Sequence, residues 1–179
     1  MKTSLKLLIL ATVLFGLGTK VNAQTTATAT ATGELVSAIT ISTAGSASIN
    51  FGRIVAGTTG TVTVAGIAAP TASTSLSRAG GTITSAGFTI SGTTGSQYTV
   101  TLPTTAVQVK HTNNADYMEV NAFSCDVATS GTEVVGTTAN GTLTGTSRTF
   151  YVGATLNVKS TDPIGVYTSA TFPVTVSYQ

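Results

Sequence analysis

The chain has 179 residues, of which 41% are hydrophobic and 8% charged, with a formal charge of +2. That length suits one domain with a substantial core, and five scattered basic residues beyond Lys20 leave no basic face of the kind that nucleic acid requires. Cys125 is the only cysteine, which excludes an intramolecular disulfide.

Lys2 and Lys6 precede an apolar run from Leu7 to Leu17, and Val21-Asn22-Ala23 forms a small-residue cleavage site. Residues 1–23 therefore read as a secretory signal peptide, with an apolar run too short to span a bilayer. Cleavage would leave 156 residues and remove Lys2, Lys6 and Lys20, so that five basic residues stand against six acidic ones, a net charge of −1. The chain is expected to be exported to the cell surface, the periplasm or the extracellular space, with no membrane span after cleavage. It divides into the leader, an N-terminal extended arm over 24–34, and a single β domain over 35–179.

In the arm, Ala27, Ala29, Ala31, Gly33, Leu35, Ser37, Ile39 and Ile41 fall on alternate positions with mostly polar residues between them, which is strand periodicity. Its two halves differ. Leu35, Ile39 and Ile41 are large enough to make 35–41 a resident strand, each worth about 1.5 to 3 kcal/mol when buried. The half from Thr25 to Gly33 offers only Ala and Gly, and its attachment would rest on backbone hydrogen bonds of about 0.5 to 1.5 kcal/mol each. That suits an edge-pairing or exchangeable strand. Ala27, Ala29, Ala31, Gly33 and Leu35 are accordingly the candidate strand-exchange residues.

Further along, 47–51 alternates with Ile49 and Phe51 inward, Val62 and Val64 share one face of 61–64, and 71–78 is a weaker strand. The spacing predicts a β-hairpin in which a strand through Phe88 and Ile90 turns at Thr93-Thr94-Gly95-Ser96 into one carrying Tyr98, Val100 and Leu102. Val107 and Val109 start a short strand, broken by a polar loop at 111–114. Met118 and Val120 then alternate up to a phase slip near Asn121 to Phe123 that suits a bulge. Residues 126–139 read as a polar loop with little buried surface, and Asn140-Gly141 as a two-residue hairpin turn. Phe150, Val152, Ala154, Leu156 and Val158 alternate cleanly, as do Phe172, Val174, Val176 and Tyr178, with Pro173 placing an unpaired side or a bulge in that last strand. With no helical stripe, eight to eleven short strands imply an all-β antiparallel sandwich with Greek-key features, closed tightly enough to leave no open groove.

Catalytic and metal chemistry find little purchase. His111 is the only histidine and sits in a polar loop without a framed nucleophile, so it reads as solvated. One His and one distant Cys do not make a zinc site, and Asn113, Asn114, Asp116 and Glu119 do not have calcium-loop spacing. Asp162 and Glu133 are isolated acids, and Cys125 reads as a small buried residue. No catalytic, metal or cofactor-binding residue and no cofactor is assigned, and a non-enzymatic role is expected.

Ile49-Asn50-Phe51-Gly52, Phe88 to Gly92 with Tyr98 to Pro103, Tyr151 to Val158, and Gly165-Val166-Tyr167 through Val174 to Tyr178 carry a family likeness when taken in that order. Together they resemble a bacterial surface domain family of unknown function, itself similar to spore coat protein U and archaic chaperone–usher pilin domains. This chain lacks the paired cysteine that coat-protein-U-like pilins carry early in the domain. The resemblance implies an immunoglobulin-like, pilin-like sandwich built into a surface structure, with an N-terminal extension, here Thr25 to Ser37, added to a neighbouring subunit. The expected role is an exported structural subunit, pilin-like or coat-like, that associates with itself or other surface proteins through β-strand addition. The alternative is a monomeric secreted adhesive or carbohydrate-binding module using the 103–117 and 126–147 loops.

Overall fold

The structure, a computed structural model, describes residues 25–113, 115–129, 132–169 and 171–179. The signal-peptide reading of residues 1–23 lies outside them. Two compact units are resolved, 1–34 and 35–179. Thr25–Glu34, the described part of the first, is exposed and carries no strand.

The second unit is all-β and antiparallel, with no helix among the described residues. Its strands are β1 (Thr40–Thr43), β2 (Asn50–Phe51), β3 (Gly60–Val64), β4 (Ala72–Thr74), β5 (Ile83–Thr84), β6 (Ala86–Ser91) and β7 (Gln97–Thr101). There follow β8 (Val107–His111), β9 (Tyr117–Thr129), β10 (Thr132–Val135), β11 (Thr138–Thr142), β12 (Ser147–Val158), β13 (Tyr167–Ser169) and β14 (Thr175–Tyr178).

Two long strands organise the rest. β9 and β12 pair along their middles, and each takes two further partners end to end along its outer edge. β12 holds β6 at 147–152 and β3 at 154–158, while β9 holds β8 at 117–120 and β10 at 124–129. With β1 on β6, β4 on β3 and β13 on β8, this makes a curled nine-stranded sheet. A three-stranded sheet, β11-β7-β14, and a two-stranded one, β2-β5, complete the unit. Residues of the two larger sheets share one apolar core, in which Val62, Ile90, Tyr98, Val100, Val127, Leu143, Phe150 and Val152 are fully buried.

The phase slip in β9 is a bulge. Opposite β12 the register jumps from Gly153 against Ser124 to Thr155 against Asn121, so that Ala122 and Phe123 together oppose Ala154. Ala122 has φ 47°, the one described non-glycine residue with positive φ. The extra residue changes which positions face inward, from Met118 and Val120 before it to Phe123, Cys125 and Val127 after it, and the core face stays continuous.

Five expectations need correction. The 35–41 strand starts only at Thr40, and Leu35 is completely exposed. Residues 93–96 do turn, but the turn carries the chain from one sheet to the other: β6 pairs with β1 and β12, whereas β7 pairs with β11 and β14. The 126–139 segment is largely strand, with Asp126, Val127 and Ala139 buried. Asn140-Gly141 lies inside β11, where Gly141 opposes Tyr98, and a Cβ there would press on the Tyr98 phenol ring. Close approach, and not a turn, is what this glycine supplies. Pro173 is exposed and precedes β14, so it breaks no ladder.

The outer face of the β9–β12 pair carries polar groups that the 126–139 reading missed. Ser124 Oγ and Gly66 N–H both donate to Glu133 Oε1, the latter at 2.9 Å. Beyond Val152 the β9–β12 ladder ends, and the Asp126 carboxylate accepts the Tyr151 N–H at 2.7 Å. The loop that brings Gly66 to Glu133 passes so close over β12 that a Cβ on Gly153 would collide with Val64 O and the Ala65 and Gly66 backbone. Gly153→Ala should therefore cost about 1 to 3 kcal/mol or more, because backbone and not a side-chain end blocks the space. Gly145→Ala, with open space around it, should stay within about 0.5 kcal/mol. Urea denaturation of the two variants beside the parent checks both.

Burial pushes the Cys125 thiol up, and it pushes the Tyr98 phenol up against the opposing Arg148 guanidinium. The folded state thus keeps protons that the unfolded chain loses, so stability is full below the unfolded thiol value of 9.0 and falls as pH rises through it. Cys125→Ala should remove the first part of that alkaline loss, read as a flatter dependence of the urea midpoint on pH between about 8 and 10.

Candidate functional site

The domain is not closed at one end. A trough with a volume of about 1000 Å³ opens there, against the expectation that no groove would be left. Its floor is the inner face of the curled sheet: Val109, Met118, Val120, Leu156 and Val158, all at most 9% exposed. Its walls are half-buried apolar side chains: Ile49, Phe51, Ile54, Phe88, Val107, Tyr167 and Phe172. The Phe88 ring stacks on Phe150 at 5.6 Å between centroids, and Phe172 lies 5.2 Å from Phe123, so the aromatic walls are anchored in the core.

The trough is open because the strands that build its walls end there. β13 closes the path of the nine-stranded sheet and pairs only with β8, while β2 pairs only with β5. Each leaves one edge without a ladder partner among the described residues, and an unpaired edge beside an apolar floor is the template that an added strand uses. Arg53, Lys159 and Asp162 are the charged residues in the lining. The Asp162 carboxylate is engaged, accepting the Lys159 N–H at 2.7 Å.

The chain enters the domain through a clamp. Ser37 N–H donates to Thr93 Oγ1 at 2.9 Å, and Tyr178 Oη donates to Ser37 O at 2.9 Å while accepting the Thr93 N–H at 2.8 Å. The tyrosine of the last strand thus ties the entry point to the turn after β6. Val36 and Leu35 stand exposed just before the clamp, at 52% and 101%. In the preceding unit Ala27, Ala29, Ala31 and Gly33 are exposed and outside any strand. The structure places all five exchange candidates in the open, while Ser37, Thr93 and Tyr178, the group that holds the entry, carry no local pattern that marks them.

His111, read as a solvated loop residue, is instead the last residue of β8 and half-buried. Asp116 does not orient its ring; that carboxylate accepts from Asn113 Nδ2 at 2.8 Å. Among the described residues no cluster of three His, Cys, Asp or Glu could hold a metal ion. Tyr117 is partly exposed, with the Lys159 ammonium 5.7 Å from its ring centroid.

The fold and this site define an all-antiparallel β domain with an open apolar trough. By sequence the chain belongs to the family described as "Domain of unknown function (DUF4402)", which it matches over residues 39–178, a span that starts just inside the Ser37 clamp and leaves the arm outside. No curated protein and no solved structure matches it.

Tyr178→Phe should release Ser37 and leave the Thr93 N–H without its acceptor, at a cost of about 1 to 3 kcal/mol. Urea denaturation reads the loss, and amide exchange should show lost protection at Ser37 with β9 and β12 unchanged.

Proposed function

We propose that the protein is an exported, non-enzymatic structural subunit of the cell surface, pilin-like or coat-like, whose copies join when the N-terminal arm of one is added as a strand in the trough of the next. The observation that carries this reading is the apolar trough bordered by strand edges without partners, in a chain whose own alternating arm is exposed and unpaired. The two are complementary in size. Large side chains line the trough, and the arm brings Ala27, Ala29, Ala31 and Gly33 on one face, with Leu35 as its single large group. Backbone hydrogen bonds to the free edges supply most of the attachment, and the small face lets the strand approach the aromatic walls. An immunoglobulin-like, pilin-type sandwich completed in this way would be closed by the incoming strand.

Removal of residues 24–34 should abolish assembly of the mature protein, read by sedimentation and negative-stain imaging. A synthetic peptide spanning 25–37 should bind the truncated protein, and Val107→Arg at the trough wall should weaken that binding about tenfold or more. Unchanged assembly by the truncated protein would defeat the reading, and glycan binding by a protein that stays monomeric would replace it with that of an adhesive module.

A further inference from the structure

The trough and the arm each carry one unbalanced charge, and the two are of opposite sign. Arg53, Lys159 and Asp162 are the charged residues of the lining, two positive and one negative. Lys159 and Asp162 belong to one loop, where the Lys159 ammonium stands 5.7 Å from the Tyr117 ring centroid and the Asp162 carboxylate holds the Lys159 N–H. Their charges offset each other locally, so the remaining one is that of Arg53. In the segment 24–37 the single charged residue is Glu34, and it is exposed.

Arg53 is set up to receive a carboxylate. Its backbone is fastened on one side, with its N–H donating to Gly80 O at 2.8 Å and its carbonyl accepting the Ala79 N–H at 2.9 Å. The side-chain stem packs over Gly81, where a Cβ would lie 3.2 Å from Arg53 Cγ. The residue is exposed two positions after β2, and among the described residues its guanidinium has no hydrogen-bond partner. A planar donor on a fixed backbone, beside the unpartnered edge of β2, takes a carboxylate through two bonds at little ordering cost.

Chain length and strand parity direct Glu34 to the rim where Arg53 is exposed. Ser37 is bonded through both its N–H and its carbonyl to Thr93 and Tyr178 of its own domain. Glu34 is three residues earlier, within about 10 Å of that hold when extended, so it meets the next copy at the mouth of the trough and not deep over the floor. Gly33 and Leu35 share the face that enters the trough, and Glu34 between them faces outward.

We propose that Glu34 of one copy pairs with Arg53 of the next, and that this pair selects the register in which the arm enters the trough. The inference rests on the strand-addition reading and supplies what that reading lacks. From Ala27 to Thr32 the arm repeats Ala-Thr, so a slip of two residues lays an equivalent face on the floor, and the backbone ladder does not distinguish the registers. Leu35 interrupts the repeat, but an apolar lining accepts it in more than one place. A carboxylate with one available cation is stricter, because the same slip carries it about 7 Å away. Backbone bonds supply the strength of the junction, and the ion pair supplies its selectivity.

The test uses the full mature protein with charges reversed. Glu34→Arg alone and Arg53→Glu alone each set like charges together, and each should need about tenfold more protein to assemble, read by sedimentation. Mixed in equal amounts, the two should recover the assembly of the parent, since each then offers the other the opposite charge. Lys159→Glu should stay within about twofold of the parent. Copies carrying both Glu34→Cys and Arg53→Cys should crosslink under mild oxidation far more than copies carrying Thr32→Cys and Arg53→Cys, which reads the register even if a charge reversal impairs folding. Single reversals that assemble as the parent does, a mixture no better than its components, or equal crosslinking from positions 32 and 34 would overturn the pair and leave strand addition standing. Assembly that persists without residues 24–34 would overturn both.

Discussion

The backbone ladder between β9 and β12 is the constraint on which the rest of the structure depends. These are the two longest strands, of 13 and 12 residues, and each carries two shorter strands in series on its outer edge. A flat sheet cannot serve four neighbours this way without splaying, and the Ala122 bulge supplies the bend that lets one half of the pair curl relative to the other. The curl creates a concave floor, the concave floor needs a cover, and at one end the three-stranded sheet provides it. At the other end the covering strands β2 and β13 are two and three residues long, and the trough remains.

Polar groups fasten this frame where the ladder cannot. The Asp126 carboxylate takes over the Tyr151 amide at the point where β9 and β12 part, and Glu133 gathers Ser124 and the Gly66 amide beneath a crossing loop. Buried polar atoms satisfied in this way cost little and fix one arrangement. The same logic holds at the chain entry, where Tyr178 bridges Ser37 and Thr93 across three distant segments. Packing makes the core, while these few side chains decide where the chain enters and where the sheets diverge.

The parts of the fold that could be read in the sequence are those governed by local alternation. The inward face of β12 from Phe150 to Val158, the burial of Cys125 and the phase slip at Asn121 to Phe123 all follow from period-2 pattern alone. What stayed hidden depends on contacts between segments far apart. Residues 126–142 look like loop because they are mostly polar, whereas their pairing depends on distant segments: buried Asp126 meets Arg148 and Tyr151, Glu133 reaches the Gly66 loop, and the value of Gly141 lies in the Tyr98 ring that packs on it. Turn chemistry at 93–96 cannot distinguish a turn within a sheet from one that crosses between sheets. The trough was least legible of all, since its lining comes from seven stretches of chain, none of which is unusual by itself. Of the exchange residues, alternation located the arm, but the exposure of Leu35 required the Ser37 clamp to be seen.

Threonine pairs across neighbouring strands have a consequence for the surface. Thr63 and Thr155 meet hydroxyl to hydroxyl at 2.8 Å, and Thr89 and Thr149 at 3.0 Å, in positions where many sheets place opposite charges. A chain with 8% charged residues that makes its cross-strand contacts through neutral hydroxyls has little for ions to screen. Its sheets, and any assembly built from them, should behave alike in fresh water and in brine.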